Sequence, residues 1–366
     1  MQRCGPTLRR RALVLAGAAT ALPARAVPPP PPLVFPRDFG AHRESRIEWW
    51  YVTGVLASTA PGAERRFGFQ LTFFGSRTDI AAVPGNRFAA DALVLGHAAV
   101  TDVAAGRLRH EQQVARGGFA FARASEADTA VVLRRWSLVR EAGSRGRSRY
   151  RAVASSDAAA FSIDLALEAT QAVLLQGRDG WSKKGPDDAQ SSRYYSEPQL
   201  ATSGTLVLDG KPVAVVGRAW LDHEWSDSLL AADAVGWDWI GMNLDDGGAL
   251  TAFRLRRADG RALWAGGSFR SAGGPTIDFA PDAVRFLPGR TWTSPSTRAT
   301  YPVEWTLETP AGRHTVRPLA EAQELDGRAS TGLVYWEGVS DLLDAAGRRV
   351  GGGYLEMTGY AGRLAL

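Results

Sequence analysis

Carboxylic acids flanked by tryptophans are the residues of this sequence best suited to chemistry. An apolar pocket raises the pKa of a carboxyl and keeps it protonated near neutral pH, and aromatic faces stabilise a developing cation. Together they suit the addition of water to an isolated carbon–carbon double bond, in which an acid protonates one carbon and a base delivers water to the resulting cation. Glu48, Asp222, Glu224 and Asp238 each have a tryptophan within three residues.

Asp222 is the leading candidate for the acid. On a strand, alternation places Trp220, Asp222 and Glu224 on one face and His223 on the other. Two carboxyls on one face, beside an inward tryptophan, would raise the pKa of one of them. The alternative is structural, with Asp222 or Glu224 paired to an arginine such as Arg218.

Glu48, His97 and Asp238 each have a functional and a structural interpretation. Glu48 shares a strand face with Trp50, and is either a partner that orients water or a buried carboxylate held by backbone or arginine. His97 lies in a predicted apolar strand. It is either a base that orders water or a hydrogen-bonded core residue. Asp238 faces away from both neighbouring rings, which favours a solvent-facing or interdomain salt bridge. His42 is predicted to lie in a loop.

The sequence predicts neither a metal site nor a cofactor. His223-Glu224 is not the two-histidine helix motif of zinc proteases, and no second histidine lies at ligand spacing, so the five histidines could meet only in space. Residues 351–353 (GGG) lack the lysine and context of a phosphate loop, and no nucleophile elbow is present. The predicted catalytic residues are Asp222, Glu48, His97 and Glu224, and the predicted substrate-binding residues, whose alternative is a core role, are Trp49, Trp50, Trp220, Trp237 and Tyr354.

The elements that must position these residues read as strands and turns. Apolar and polar residues alternate over 67–73 and 161–168, which is the pattern of half-buried strands. Residues 208–211, 245–248 and 258–260 fit tight hairpins. Residues 178–198 are polar and predict a long loop. We therefore predict an all-β fold, with a signal peptide at 1–26 and two domains, 27–229 and 230–366.

The first 26 residues predict export to the periplasm or beyond. Arginines precede a short apolar run and a small-residue exit, as in Sec or twin-arginine signals. Removing its five arginines from the 43 basic residues leaves 38, equal to the 38 acidic ones, which argues against a nucleic-acid partner. The single cysteine, Cys4, lies in this segment, so the mature chain has no disulfide. No later stretch is apolar enough to predict a stable membrane span.

Six motifs occur along the chain: 35–42 (FPRDFGAH), 48–54 (EWWYVTG), 217–225 (GRAWLDHEW), 236–239 (GWDW), 335–338 (YWEG) and 353–360 (GYLEMTGY). In this order they resemble the AttH-like family, whose members are usually described as predicted secreted hydrolases. The resemblance runs from about Phe35 to Tyr360. Relatives in this family include the bacterial carotenoid 1,2-hydratases and some fungal cyclases of the Diels–Alderase type. The resemblance implies two lipocalin-like (calycin-type) antiparallel β-barrels packed together, an apolar cavity and, in some members, chemistry on polyenes. One difference from the family lies between Asp222 and Glu224, where the family often has an arginine and this sequence has His223.

These observations predict an exported protein whose partner is an apolar, lipid- or isoprenoid-like small molecule. One hypothesis is an enzyme of the hydratase type that hydrates, isomerises or cyclises this molecule. The second is a periplasmic carrier that leaves it unchanged. The third is an assembly factor acting through an exposed aromatic patch. Substrate, protein partners and oligomeric state do not follow from the sequence.

Overall fold

The computed structural model describes residues 31–60, 65–77, 92–117, 121–143, 146–228 and 230–363. Strands dominate these residues, and the helical elements are short 3-10 turns such as Arg37–Phe39 and Pro281–Ala283. The prediction of an all-β, antiparallel fold is confirmed. The predicted export signal, residues 1–26, lies outside the described residues. Within them, no helix has the length and apolar character needed to cross a bilayer.

The first sheet has thirteen strands and curls towards closure. Its strands are β1 Ile47–Ser58, β2 Arg66–Arg77, β3 Ala92–Asp102, β4 Arg107–Arg116, β5 Ala122–Ala124, β6 Ala130–Leu133, β7 Trp136–Ala142, β8 Ser148–Ser156, β9 Phe161–Ala169, β10 Leu174–Leu175, β11 Trp181–Lys183, β12 Ser191–Leu208 and β13 Lys211–Ser226. They follow the order β4-β3-β2-β1-β13-β12-β9-β8-β7-β6-β5, with β10 and β11 paired to β12. Because β3 contacts β5 and β6, the two ends of the sheet meet and form a nearly closed barrel.

The second sheet has ten strands. It follows the order β17-β16-β15-β14-β25-β24-β22-β21-β18, with β23 paired to β24, and β19 and β20 form a separate ribbon. The strands are β14 Gly236–Leu244, β15 Ala249–Arg256, β16 Ala262–Arg270, β17 Thr276–Asp278, β18 Arg285–Pro288, β19 Trp292–Thr293, β20 Thr300–Tyr301, β21 Trp305–Thr309, β22 Gly312–Pro318, β23 Glu324–Gly327, β24 Leu333–Leu343 and β25 Arg349–Thr358. The first sheet ends at Ser226 and the second begins at Gly236; the domain limits at 229 and 230 stay a prediction.

Alternation along β2 shows how the sheets pack. The apolar residues Phe67, Phe69, Leu71 and Phe73 are fully buried in the core of the first barrel. Gln70, on the opposite face, is also buried, because that face packs against the second sheet, where it contacts Tyr335. The sequence pattern predicts this strand correctly. Because the residues on its outer face are polar, the pattern does not predict that a second sheet packs against that face.

The long loop predicted over 178–198 is wrong in its second half. Residues from Ser191 onward form the start of β12, which pairs with β13. Ser192 and Ser196 donate hydrogen bonds to Glu224 and Asp222. Polar side chains were needed there to satisfy buried acids, so the segment has a loop-like composition although it is a strand.

Candidate active site

The pairing of β1 with β13 gives this part of the molecule two functional faces. Trp50 lies opposite His223, and Tyr51 lies opposite Asp222. Trp50 packs into the core of the first barrel. Tyr51 packs instead among residues of the second sheet, such as Trp239. Neighbouring residues of one strand therefore serve two separate clusters, one inside the first barrel and one between the sheets.

Asp222 lies between the sheets and is buried. Its Oδ1 accepts hydrogen bonds from Ser196 Oγ at 2.5 Å and Trp220 Nε1 at 2.7 Å. Burial raises the pKa of Asp222 to about 7; the hydrogen bonds from Ser196, Trp220 and Tyr194 oppose this rise, and the charge of Glu224 adds to it.

The proposed arginine partner is not used by Asp222. Arg218 donates instead to the backbone carbonyl of Leu244 at 3.1 Å. Glu224 shares the strand face of Asp222, as alternation predicts, and pairs with Lys184 Nζ at 3.0 Å. The two neighbouring acids thus have different surroundings: one has only neutral donors among its hydrogen bonds, and the other has a cation.

The second sheet adds two buried acids that the sequence did not single out as candidates. Glu337 on β24 accepts a hydrogen bond from the Tyr51 hydroxyl and another from Gln70 Nε2 at 3.4 Å. Burial and the charge of Glu356 raise the pKa of Glu337 well above its usual value. Burial raises the pKa of Glu356 to about 7, against a hydrogen bond from Trp237, and the charges of Asp222 and Glu224 add to it.

Aromatic rings surround these three acids. Trp220 and Trp239 meet edge to face with ring centroids 6.3 Å apart, and Tyr51 meets Trp239 in the same way at 5.4 Å. Tyr354 is buried in this cluster, and the half-buried Trp49 and Trp237 pack against it. Of the predicted substrate-binding residues, Trp50 is the one that lies elsewhere, inside the first barrel.

His97 borders the same region. Its Nδ1 lies 2.7 Å from the Tyr335 hydroxyl and its Nε2 lies 2.8 Å from Ser330 Oγ. Gln70 Nε2 donates to the Tyr335 hydroxyl at 3.1 Å, which continues the chain of hydrogen bonds to Glu337. Burial lowers the pKa of His97 to about 3, so this ring is neutral at physiological pH.

Glu48 lies on the other face, away from Asp222. It is buried with His42 and His223: its Oε1 is 2.9 Å from His42 Nδ1 and 2.8 Å from His223 Nε2. Burial favours a higher pKa for Glu48, but the hydrogen bonds from the two histidines outweigh it and the pKa is lowered. Burial also lowers the pKa of His223. The structure therefore does not bring Glu48 to the acids between the sheets.

Asp238 forms an ion pair, as the sequence predicts, but in an unexpected place. Its Oδ2 lies 2.7 Å from Arg254 Nε and 3.1 Å from Arg256 Nε, and the Tyr360 hydroxyl donates to its Oδ1. The carboxylate is completely buried and pairs within the second sheet, so it is neither at the solvent surface nor between the domains. The two arginines satisfy its charge.

A cleft of about 470 Å³ opens between the sheets, and Asp222 is not among its lining residues. One of its lining residues, Tyr194, donates a hydrogen bond to Asp222. Other lining residues come from both sheets and include Gln176, Ser182, Phe253, Trp264 and Phe279. An apolar molecule in this cleft would lie next to a ring that contacts the buried acid.

One pattern in the sequence could have identified the missed acids. Glu337 follows Trp336, and Glu356 is two residues after Tyr354, so both repeat the interleaving of acids with aromatic rings. Their closeness to Asp222 could not be read in this way, because it depends on how two sheets pack. The meeting of His42 with His223 is likewise set by the fold.

Comparisons with known proteins agree with this architecture. The AttH-like family profile matches residues 26–360. A crystal structure from Nitrosomonas europaea described as an AttH has 44% identity and a TM-score of 0.82, covering 92% of this chain and 99% of that one. Kievitone hydratase from Nectria haematococca has the same fold at 16% identity and a TM-score of 0.69, covering 91% and 94%. Among curated proteins, none matches.

The family profile spans nearly all of the described chain, and the Nitrosomonas europaea structure extends the match to the packing of both sheets. The motifs that carry the resemblance lie on strands that meet at the acid cluster: residues 48–54 on β1, 217–225 on β13, 335–338 on β24 and 353–358 on β25. This protein belongs to the AttH-like family.

Proposed function

We propose that this protein is exported, binds an apolar, lipid- or isoprenoid-like molecule, and acts on it by acid-catalysed hydration, isomerisation or cyclisation between the two sheets. One observation carries the proposal: Asp222, Glu337 and Glu356 are three buried carboxyls with raised pKa values in one aromatic cluster. Burying acids without cations is unfavourable for stability, and perturbed acids of this kind concentrate at functional sites.

Two of these acids suit proton transfer near neutral pH. Asp222 and Glu356 both have a pKa of about 7, so each exists in protonated and ionised forms there. In the proposed step the Asp222 proton bonds to one alkene carbon through the alkene π electrons, leaving a cation on the other carbon. Water adds to that cation, and its surplus proton goes to ionised Glu356, giving an alcohol. Loss of a neighbouring proton from the cation to ionised Glu356 instead gives an isomer of the alkene.

The surrounding rings favour the cation over the starting alkene. Trp220 and Trp239 offer aromatic surfaces beside Asp222, and such surfaces stabilise positive charge without competing as nucleophiles. The cleft beside Tyr194 provides a route for the substrate, because its lining is aromatic at Phe253 and Trp264. The aromatic part of this lining suits an apolar chain, and the cleft is also lined by the charged residues Arg178, Lys183, Asp188 and Asp278.

Two other observations support the proposal. Kievitone hydratase, a hydratase by name, has the same fold, although at 16% identity this likeness concerns the fold alone. The basic, apolar and small-residue sections of residues 1–26 support export.

The test begins with the protein purified from its native periplasm. Mass spectrometry of an organic-solvent extract identifies any stoichiometric apolar molecule. The mature protein is then incubated in D2O with that molecule, with geranylgeraniol as a fixed probe in parallel. Protonation of an alkene carbon leaves carbon-bound deuterium in the product. We expect Asp222→Asn to lower deuterium incorporation by about 100-fold or more, since general acids contribute at least that much.

The matched control is Asp164→Asn, an exposed acid paired with Arg151 on the surface, which should retain wild-type incorporation. Recovery of the bound molecule intact and free of deuterium, from wild type and Asp222→Asn alike, would refute the enzyme and favour a carrier. Absence of the protein from both the periplasm and the culture medium would refute export.

A further inference from the structure

We propose that His42, Glu48 and His223 bind a first-row divalent metal ion, with Zn²⁺ as the best-fitting ion, inside the first barrel. This site is separate from the acids between the sheets, since it lies on the opposite face of β1 and β13. It goes beyond the proposed function, and the sequence alone did not predict it.

The donor atoms already converge. One nitrogen from each histidine and one oxygen of Glu48 all lie within 4.8 Å of one another. The two histidine-to-glutamate distances are 2.9 and 2.8 Å. Ligands bound to one tetrahedral metal at about 2.0–2.2 Å stand roughly 3.3 Å apart. Small shifts would therefore convert three hydrogen-bonded groups into three ligands.

In both histidines, the ring nitrogen that does not face Glu48 has a hydrogen-bond partner of its own, as in histidines that bind metals. His42 directs Nδ1 to Glu48, and its Nε2 lies 3.1 Å from Asp38 Oδ1. His223 directs Nε2 to Glu48, and its Nδ1 lies 3.0 Å from the Tyr195 hydroxyl. Partners of this kind fix the tautomer and the ring orientation of metal-binding histidines.

Stacking fixes the rings further. His42 stacks on Trp225 with centroids 3.6 Å apart and planes 7° apart, and His223 stacks on Trp50 at 4.8 Å. A ligand set that cannot rotate loses little entropy on binding, and apolar rings exclude competing water. The donors are two imidazole nitrogens and one carboxylate oxygen, a combination that suits Zn²⁺ and its neighbours rather than Mg²⁺ or Ca²⁺.

The ion would also fasten the N-terminal segment to the barrel. His42 lies before β1, in a segment held to the connection between β5 and β6. The Ala41 amide donates to the Ser125 carbonyl there, and Thr129 Oγ1 donates to the Phe39 carbonyl. Glu48 and His223 lie on β1 and β13. Binding free energy at such a site becomes folding free energy, so removing the ion should lower the melting temperature.

The experiment measures metal on the mature chain, produced without a histidine tag in medium containing Zn²⁺. We expect about one zinc per chain by plasma mass spectrometry. Chelation should lower the melting temperature by several degrees, and Co²⁺ added to the chelated wild type should give the visible absorption of a tetrahedral site. His42→Gln and His223→Gln should lose the metal, and Asp38→Asn should weaken binding by about 10–100-fold.

Asp222→Asn is the matched control, because it is buried next to His223 but faces the other way, and it should keep one zinc per chain. Loss of metal from that variant, or equal binding by His223→Gln, would overturn the proposal. So would wild type that takes up neither Zn²⁺ nor Co²⁺, a result that does not depend on any variant folding. The deuterium test reads a different site, so the two proposals can fail separately.

Discussion

Three buried carboxyls between the sheets, Asp222, Glu337 and Glu356, have no arginine or lysine among the hydrogen-bond partners that the structure describes. Asp222 has three neutral donors and still has its pKa raised to about 7. Glu356 accepts a side-chain hydrogen bond from Trp237, and its pKa is also raised to about 7. By contrast, Asp238 is as deeply buried but lies against two arginines. A chain able to neutralise one acid with arginines has left the others without them, which is what acid–base chemistry requires.

The raised pKa of Asp222 predicts a pH dependence of stability. Between the ordinary aspartate pKa of 3.8 and about 7, the native chain holds a proton that the unfolded chain has lost. The free energy of unfolding therefore falls as pH rises through this window, and Asp222 contributes no further change above it. Asp222→Asn lacks this loss, so we expect it to be more stable than wild type at pH 8 and to lose that advantage near pH 4.

Urea denaturation of both proteins at several pH values measures this difference. Asp164→Asn is a suitable control, because this acid is exposed and paired with Arg151 on the surface. Parallel pH profiles for wild type and Asp222→Asn would contradict the raised pKa. A larger stability loss in the variant at pH 8 than at pH 5 would contradict it as well.

At the residue scale, the sequence predicts what is local. The shared face of Trp220, Asp222 and Glu224 follows from the period of a strand, and the structure has it. The partners of these residues come from distant parts of the chain: Tyr51 and Glu337 are separated by 286 positions. Local spacing rules do not predict contacts between residues so far apart in the chain. The position of Glu337 beside Tyr51 and the grouping of His42 and His223 around Glu48 therefore become evident only in the folded structure.

At the scale of elements, β1 and β13 decide both sites through their register. Because side chains alternate, a slip of one residue would exchange the two faces and move Asp222 into the first barrel. The sequence pattern predicts the strands β2 and β9, because the residues on one face of each are apolar. It does not predict the start of β12, because the serines there are polar residues that hydrogen-bond to the buried acids of β13.

Gly241 on β14 allows the second sheet to approach the first. A Cβ at this position would lie 2.4 Å from Trp239 and 3.1 Å from Trp220, the two rings beside Asp222. We expect Gly241→Ala to displace these rings, to cost about 1–3 kcal/mol of unfolding free energy as overpacking does, and to reduce deuterium incorporation.

Gly75→Ala on β2 is the matched comparison. Its Cβ would make only ordinary contacts, the nearest at 3.8 Å, so it should change stability by about 0.5 kcal/mol or less. Denaturation midpoints of both variants measure the difference. If Gly241→Ala were as stable and as active as wild type, the packing of the two sheets would not be what positions the tryptophans.

At the scale of the whole molecule, polar contacts tie the two sheets together around the aromatic cluster. Arg66 on β2 and Asp341 on β24 form a two-bond ion pair, with N–O distances of 2.6 and 3.1 Å. Asn243 Nδ2 donates to the Ala219 carbonyl at 3.1 Å, and Gln199 Nε2 donates to the Leu244 carbonyl at 2.8 Å. Residues Pro32–Leu366 accordingly cluster as one compact unit.

This packing predicts that both sheets unfold together. Separation would expose the buried acids and rings of both layers at once, so an intermediate with one folded sheet should not accumulate. We expect one calorimetric transition whose enthalpy equals the van't Hoff enthalpy. Asp341→Asn, which leaves Arg66 and Arg349 without their shared carboxylate, should lower the midpoint without splitting the transition.

Asp157→Asn controls for the loss of charge, because its pair with Arg135 is almost fully exposed and exposed pairs contribute little. It should leave the midpoint unchanged. Two separate transitions in the wild type would show that each sheet is stable alone. The acids would then lie between independent domains able to move apart, and their raised pKa values would last only while the domains stay closed.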